Sequence, residues 1–144
     1  TCDLRAFVTG MRAPFLLLQS CFALGLARRA LDEAEAALNA TTSPVARTFV
    51  PDHDALEESY ARAADAVICD LRVRGAGVPI RDIVALRLDC ARLATEAVAL
   101  EAKVVGGRSY LASSGTARRL REAAFLPVQA PTEGQLRWEL SLSA

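Results

Sequence analysis

Apolar side chains recur at three- and four-residue steps along most of this chain, which is the period of an amphipathic α-helix. The first such stretch covers about residues 13–39, and the polar residues 39–44 end it. Its predicted core stripe consists of Phe15, Leu18, Phe22, Leu26, Ala30 and Ala34. We expect a loop from there to about Pro51.

A second helix is predicted to begin near Asp52 or Asp54. Asp54 and Glu57 have the spacing of a capping box, in which an acidic side chain accepts from a free N–H group of the first turn. The apolar stripe of this helix comprises Leu56, Tyr60, Ala63, Val67 and Leu71. Two glycines and a proline within residues 75–79 end it.

Three more helical stretches follow. One covers about residues 79–105, beginning with a proline, which is favoured in a first turn, and ending at the glycine pair 106–107. A shorter one covers about residues 114–125. The last begins near Thr132, which has capping-box spacing to Gln135.

No stretch shows the strict alternation of a half-buried strand, so the predicted fold class is all-α. Long helices joined by short links favour an antiparallel up-and-down four-helix bundle. The length of 144 residues is that of one domain, and we interpret residues 1–144 as a single helical bundle.

The charge and composition of the chain limit the classes of binding partner and indicate its cellular compartment. Acidic and basic residues balance at 17 each, which argues against binding nucleic acid or an anionic membrane through bulk charge. Residues 13–27 form an apolar run between arginines, similar to the core of a signal peptide, but the run is too short to span a bilayer. A buried core helix is the preferred interpretation. We expect Cys2, Cys21, Cys69 and Cys90 to be buried free thiols in a reducing compartment, hence a cytoplasmic protein.

Sequence motifs for common catalytic sites are absent. There is no phosphate-binding glycine loop, no zinc-protease motif and no serine-hydrolase elbow. The single histidine, His53, falls in a predicted loop without a nearby cysteine, so we expect no metal site and no Cys–His pair.

Charged residues on the predicted helices are interpreted mainly as solvated faces. This interpretation covers Glu33, Glu57, Arg87, Asp89, Arg92, Glu96 and Glu101. Arg118, Arg119 and Arg121 leave two alternatives open. They either grip a phosphate or a carboxylate, or they lie on a solvated helix face paired with Glu122.

The order of several short motifs resembles the C-terminal domain of the acyl-CoA dehydrogenases. Residues 106–110 read Gly-Gly-Arg-Ser-Tyr, and residues 117–123 read Ala-Arg-Arg-Leu-Arg-Glu-Ala. These are similar to that family's Gly-Gly-x-Gly-Tyr turn and Arg-x-x-Arg-Asp-Ala helix, which precede a Glu-Gly-Thr turn. Residues 25–34 are similar to the family's Gly-Leu-Ala-x-x-Ala-Leu-x-x-Ala on the first helix of a four-helix bundle.

The resemblance implies the chemistry of a flavoprotein oxidoreductase. In that family a glutamate removes the α-proton of an acyl-CoA while the β-hydride passes to FAD, and an electron acceptor reoxidises the flavin. The resemblance further implies a homo-oligomer and two additional domains. Together with the absence of an initial methionine, it leads us to expect that this chain is a fragment of a longer flavoprotein.

Departures from the family pattern fall on the reacting positions. In the register set by the glycine pair, the Glu-Gly-Thr turn falls on residues 130–132, so the catalytic base position is Ala130, which cannot take a proton. Nothing acidic lies between Asp3 and Asp32 to replace it. Gly106, Gly107 and Thr132 are the residues carried over as FAD contacts. We therefore expect the chain alone to be inactive and not to bind FAD tightly.

Other functions stay open at this point. One alternative is a non-catalytic bundle that serves for dimerisation or as a scaffold. Exposed apolar surface on the bundle would indicate its interface. A weaker alternative is a bundle that holds a di-metal centre or haem.

Overall fold

The computed structural model of the chain describes residues 4–142, and side chains from residue 6 onward. The described residues form helices, turns and loops without a strand. The helices are α1 (Leu4–Asn39), α2 (Pro44–Arg47), α3 (Val50–Arg72), α4 (Ile80–Val105), α5 (Gly115–Phe125) and α6 (Glu133–Leu142). A 3-10 turn, Gly106–Tyr110, follows α4. The prediction of an all-helical fold is confirmed.

Helix α4 lies at the centre and contacts α1, α3, α5 and α6. Its buried face and that of α1 are rich in alanine, including Ala27 and Ala30 on α1 and Ala94 and Ala97 on α4. Small side chains allow two helix axes to approach closely. This α1–α4 contact forms the main part of the core.

Helix α3 returns along α1 in the opposite direction. Near its start, the Glu57 carboxylate accepts two hydrogen bonds from Arg28 of α1, at 2.7 and 2.5 Å. Just after its end, Gly75 has a positive φ of 71° and lies against Ala13 of α1, where an added Cβ would come within 2.9 Å of the Ala13 Cβ. Glycine is therefore required here by both the backbone conformation and the close approach.

The predicted core stripe of α1 is wrong in its N-terminal half. Phe15, Leu18 and Phe22 are exposed, and Leu16 and Leu17 are buried instead. Ala30 and Ala34 are buried as predicted, and Leu26 is half-buried. Nearly every residue of the 13–27 run is apolar, so the sequence pattern did not distinguish the core face from the face beside it.

The predicted helix starts need three corrections. The capping box at Asp54 is wrong, because α3 begins at Val50 with Phe49 as its N-cap, so Asp54 lies inside the helix. The predicted loop before it contains the short α2. Helix α1 begins at Leu4, well before residue 13. At the other end of the chain, Thr132 and Gln135 form the predicted capping box.

By length and composition α1 is able to cross a membrane, and its most apolar window is 33% buried within the bundle. A core helix of a globular protein can be equally long and apolar. The buried residues of α1 form one side of the helix, from Leu16 to Leu38, and this side packs on α4 and α3.

Candidate functional site

The turn that carries the expected base position packs against α1. The Ala130 carbonyl accepts a hydrogen bond of 2.8 Å from the side-chain nitrogen of Gln19. The methyl group of Ala130 is exposed, and the peptide bond to Pro131 is cis. Gln19 itself is buried because this turn covers it. The turn is thus fixed to α1 at one defined point.

Arg87 of α4 continues this polar contact into the core. Its Nε donates to the Gln19 amide oxygen at 3.2 Å, and its Nη2 donates to the Gln129 amide oxygen at 3.3 Å. Arg87 is 1% exposed, so the prediction that it lies on a solvated face is wrong. Burial lowers the pKa of its guanidinium, and no described carboxylate offsets this.

An exposed apolar surface begins beside this turn. Val8, Met11, Phe15, Leu18 and Phe22 of α1 are all exposed and are spaced three and four residues apart; we call them the apolar face of α1. Phe15 and Phe22 lie one turn before and one turn after Gln19, on its side of the helix. The Ala130 turn therefore lies at the edge of this apolar face.

The glycine pair and Thr132 lie beside different parts of α4 along its axis. Gly106 ends α4 with a positive φ of 70°, and a Cβ added at Gly106 or Gly107 would meet nothing within 4 Å. Thr132 precedes Glu133, which lines a small cleft with Glu96 of α4. At 1.5 Å per residue, the ten or so residues from Glu96 to Gly106 span about 15 Å.

The two glycines and Thr132 are not buried among the described residues. The two glycines leave their backbone open, and the Thr132 hydroxyl accepts from the Gln135 N–H at 3.3 Å without donating to a described residue. Gly106, Gly107, Ala130 and Thr132 do not line the small cleft at Glu96 and Glu133.

A buried ion pair joins α5 to the C-terminal part of α4. Arg119 donates to both oxygens of Glu101, at 2.7 and 2.5 Å, and Thr116 donates to the same carboxylate at 2.6 Å. Glu101 is 0% exposed, so its interpretation as a surface charge is wrong, whereas Glu96 is exposed as predicted. The contact with Glu101 raises the pKa of Arg119.

A second cleft brings the Arg118–Arg121 motif together with α1. This α1–α5 cleft has a volume of about 630 Å³. Its apolar lining is Phe22, Leu26, Phe125 and Leu126, and its charged lining is Arg29, Arg118, Arg119, Arg121 and Glu122. Gln129, next to Ala130, also lines it. Arg118 is exposed and pairs with Glu122 at 3.5 Å, as the solvated-face alternative predicts, whereas Arg119 is buried and pairs with Glu101. Arg121 is exposed and does not pair with Glu122, and phosphate or carboxylate binding by this motif stays a prediction.

The thiols and the histidine also differ from the predictions. Cys90 is buried, and burial raises its pKa to about 11, but Cys21 and Cys69 are exposed, so the prediction of buried thiols is wrong for these two. Cys2 lies outside the described residues. His53 lies in α3 and is buried against the Leu31 carbonyl, at 3.3 Å from Nε2. Within residues 4–142 no cluster of three metal-ligating side chains occurs.

Arg87 and Glu101 were missed in the sequence, although a signal for both exists. The buried positions of α4 include Ile83, Ala94 and Val98, and steps of three and four residues from these reach both charged residues. A charged residue on an apolar stripe indicates a buried polar contact.

A search of protein-family models and of curated proteins finds no match to this chain. The resemblance to a known family therefore depends on the motifs themselves, chiefly residues 25–34 and 106–132.

Proposed function

We propose that this chain is the C-terminal helical bundle of an acyl-CoA dehydrogenase-like FAD flavoprotein, an oxidoreductase for the α,β-dehydrogenation of an acyl-CoA. In this proposal α1, α3, α4 and α5 form the antiparallel up-and-down four-helix bundle. The other domains, the FAD, the acyl-CoA and the electron acceptor belong to a longer, cytoplasmic, homo-oligomeric parent protein.

One observation supports this proposal most: the expected base position adjoins an open apolar surface. The Ala130 turn is bonded to Gln19, and Phe15 and Phe22 flank Gln19 on the same side of α1. An acyl chain placed along the apolar face of α1 would bring its reacting end to this turn. The rest of the wall around such a chain would come from the parent protein.

The residues of this chain contribute positioning rather than proton transfer. Gly106, Gly107 and Thr132 are the proposed FAD contacts, and bound FAD would supply the hydride acceptor. The methyl group of Ala130 has no basic atom, so α-proton removal requires a base at another position or is absent. The buried Arg87 holds Gln129 and, through Gln19, the Ala130 carbonyl.

The test is acyl-CoA-dependent bleaching of the flavin in the natural full-length gene product. Ala130→Glu is expected to increase the bleaching rate by about 10²-fold or more, the usual contribution of a positioned general base. Val128→Glu is the matched control, because it places a carboxylate at an exposed position of the same turn. Equal rates for the two variants, or no bleaching in either, would contradict the proposed role of position 130.

The exposed apolar face of α1 also favours a second candidate function, a non-catalytic dimerisation module. Its spacing is that of a coiled-coil seam, and a seam of this kind is self-complementary in a two-fold dimer. Sedimentation of the 144-residue chain tests it. A dimer that Phe15→Glu with Phe22→Glu converts to a monomer supports this candidate, and a monomeric wild-type chain eliminates it.

A further inference from the structure

The α1–α5 cleft contains open apolar surface. Phe22 is 76% exposed and Phe125 is 57% exposed, although both line the cleft. Gly25 also lines the cleft, and a Cβ added there would meet nothing within 4 Å. The volume of about 630 Å³ is within the range of small-molecule sites. An aliphatic chain fits this surface because it would cover both rings.

The rim of the same cleft has more positive than negative charge. Three of its four arginines have a carboxylate partner, in the pairs Arg29–Glu33, Arg118–Glu122 and Arg119–Glu101. The fourth, Arg121, is exposed and forms no ion pair with any described residue. One guanidinium is thus available to an anion, and its planar N–H groups suit a carboxylate or a phosphate.

A second positive charge lies next to Gln129, which lines the cleft. Arg87 donates to the amide oxygen of Gln129 and is buried, and amide oxygens do not neutralise it. The cleft therefore combines an apolar lining with two cations that lack carboxylate partners among the described residues. Aliphatic alcohols would satisfy the lining alone, and inorganic anions would satisfy the cations alone.

We propose that the α1–α5 cleft binds an amphipathic anion, a molecule with one aliphatic chain and one carboxylate or phosphate head group. The chain lies between Phe22 and Phe125 over Gly25, and the head group meets Arg121. The proposal follows from this cleft and does not rest on the flavoprotein function, so binding here and flavin bleaching succeed or fail separately.

Isothermal titration calorimetry of the 144-residue chain with decanoate, below its micelle concentration, tests the proposal. Saturable binding at one site is expected. Decyltrimethylammonium, with the same chain and the opposite charge, and acetate, with the head group alone, are expected not to bind. Equal binding of decanoate and decyltrimethylammonium would overturn the proposal, as would binding to anionic vesicles without binding to decanoate.

Two variants locate the site. Gly25→Leu fills the open space and is expected to abolish binding, whereas Gly10→Leu, at an equally open helical glycine outside the cleft, is expected to keep it. Arg121→Gln is expected to weaken binding by about threefold to tenfold. Arg72→Gln, an exposed arginine on α3, is the matched control. Unchanged affinity in Gly25→Leu, with helicity and melting temperature retained, would overturn the proposal.

Discussion

Two buried arginines, Arg87 of α4 and Arg119 of α5, are held in different ways. Arg119 of α5 meets the carboxylate of Glu101, which Thr116 also contacts, so its charge is neutralised inside the protein. Arg87 of α4 meets the amide oxygens of Gln19 and Gln129 and no described carboxylate. Neither is more than 4% exposed, so water solvates neither fully.

This difference distinguishes a structural contact, the Glu101–Arg119 pair, from a contact in the candidate functional region, that of Arg87. The Glu101–Arg119 pair joins α5 to α4 and leaves nothing for a ligand. The Arg87 contact joins α1, α4 and the Ala130 turn, and it adds positive charge to a region with open apolar surface. A buried cation without a carboxylate is costly, and such costs are concentrated at functional sites.

Removing the partner of Arg119 should have the largest effect. Glu101→Ala leaves a buried guanidinium uncompensated and is expected to reduce the free energy of unfolding by about 3–5 kcal/mol. Denaturant unfolding measures this, with Glu96→Ala on the exposed side of α4 as the control, expected within about 0.5 kcal/mol of wild type. A loss below about 1 kcal/mol for Glu101→Ala would contradict a structural role for the pair.

Removing Arg87 should cost less, although the side chain is equally buried. Arg87→Met eliminates a desolvated cation together with two hydrogen bonds to amide oxygens, so we expect a loss of less than about 2 kcal/mol. Arg92→Met, at an exposed position on α4, is the control in the same unfolding experiment. If Arg87→Met proves as destabilising as Glu101→Ala, the contrast between the two arginines is wrong.

Ser109 gives a smaller effect of opposite sign. It lies in the 3-10 turn after α4, and its hydroxyl oxygen is buried without a hydrogen-bond partner among the described residues. Ser109→Ala removes an unsatisfied polar group and is expected to stabilise the chain by about 1 kcal/mol. Ser59→Ala, where the hydroxyl is exposed and bonded to the Ala55 carbonyl, provides the comparison. A destabilised Ser109→Ala variant would show that this hydroxyl has a partner in solution.

The half-buried pair of Arg28 and Glu57 should give the smallest effect. Hydrogen bonds from Arg28 lower the pKa of Glu57 from its ordinary value of 4.5. The folded state therefore favours the carboxylate, so its contribution to stability is complete above about pH 4.5 and is lost as the pH falls through the lower folded pKa. Unfolding of wild type and Glu57→Gln from pH 7 to pH 3 measures this. A difference between them that grows on acidification would have the wrong sign.

The positions of the helices could be predicted from the sequence, whereas their buried faces could be predicted only in part. Breaks at Gly75 and Gly106 and the Thr132 cap follow from local backbone chemistry, which neighbouring residues determine. The face of α1 that packs on α4 depends instead on tertiary contact, because the 13–27 run is apolar on all sides. The α1–α5 cleft could not be predicted either, because Phe22 and Arg121 are distant in sequence.

The central claim is that this bundle belongs to a flavoprotein, and the absorbance spectrum of the purified natural gene product tests it most directly. We expect a chain much longer than 144 residues with the absorption bands of oxidised FAD. An acyl-CoA is expected to bleach these bands, and to bleach them faster in the Ala130→Glu variant. A colourless protein that takes up no FAD on reconstitution would contradict it.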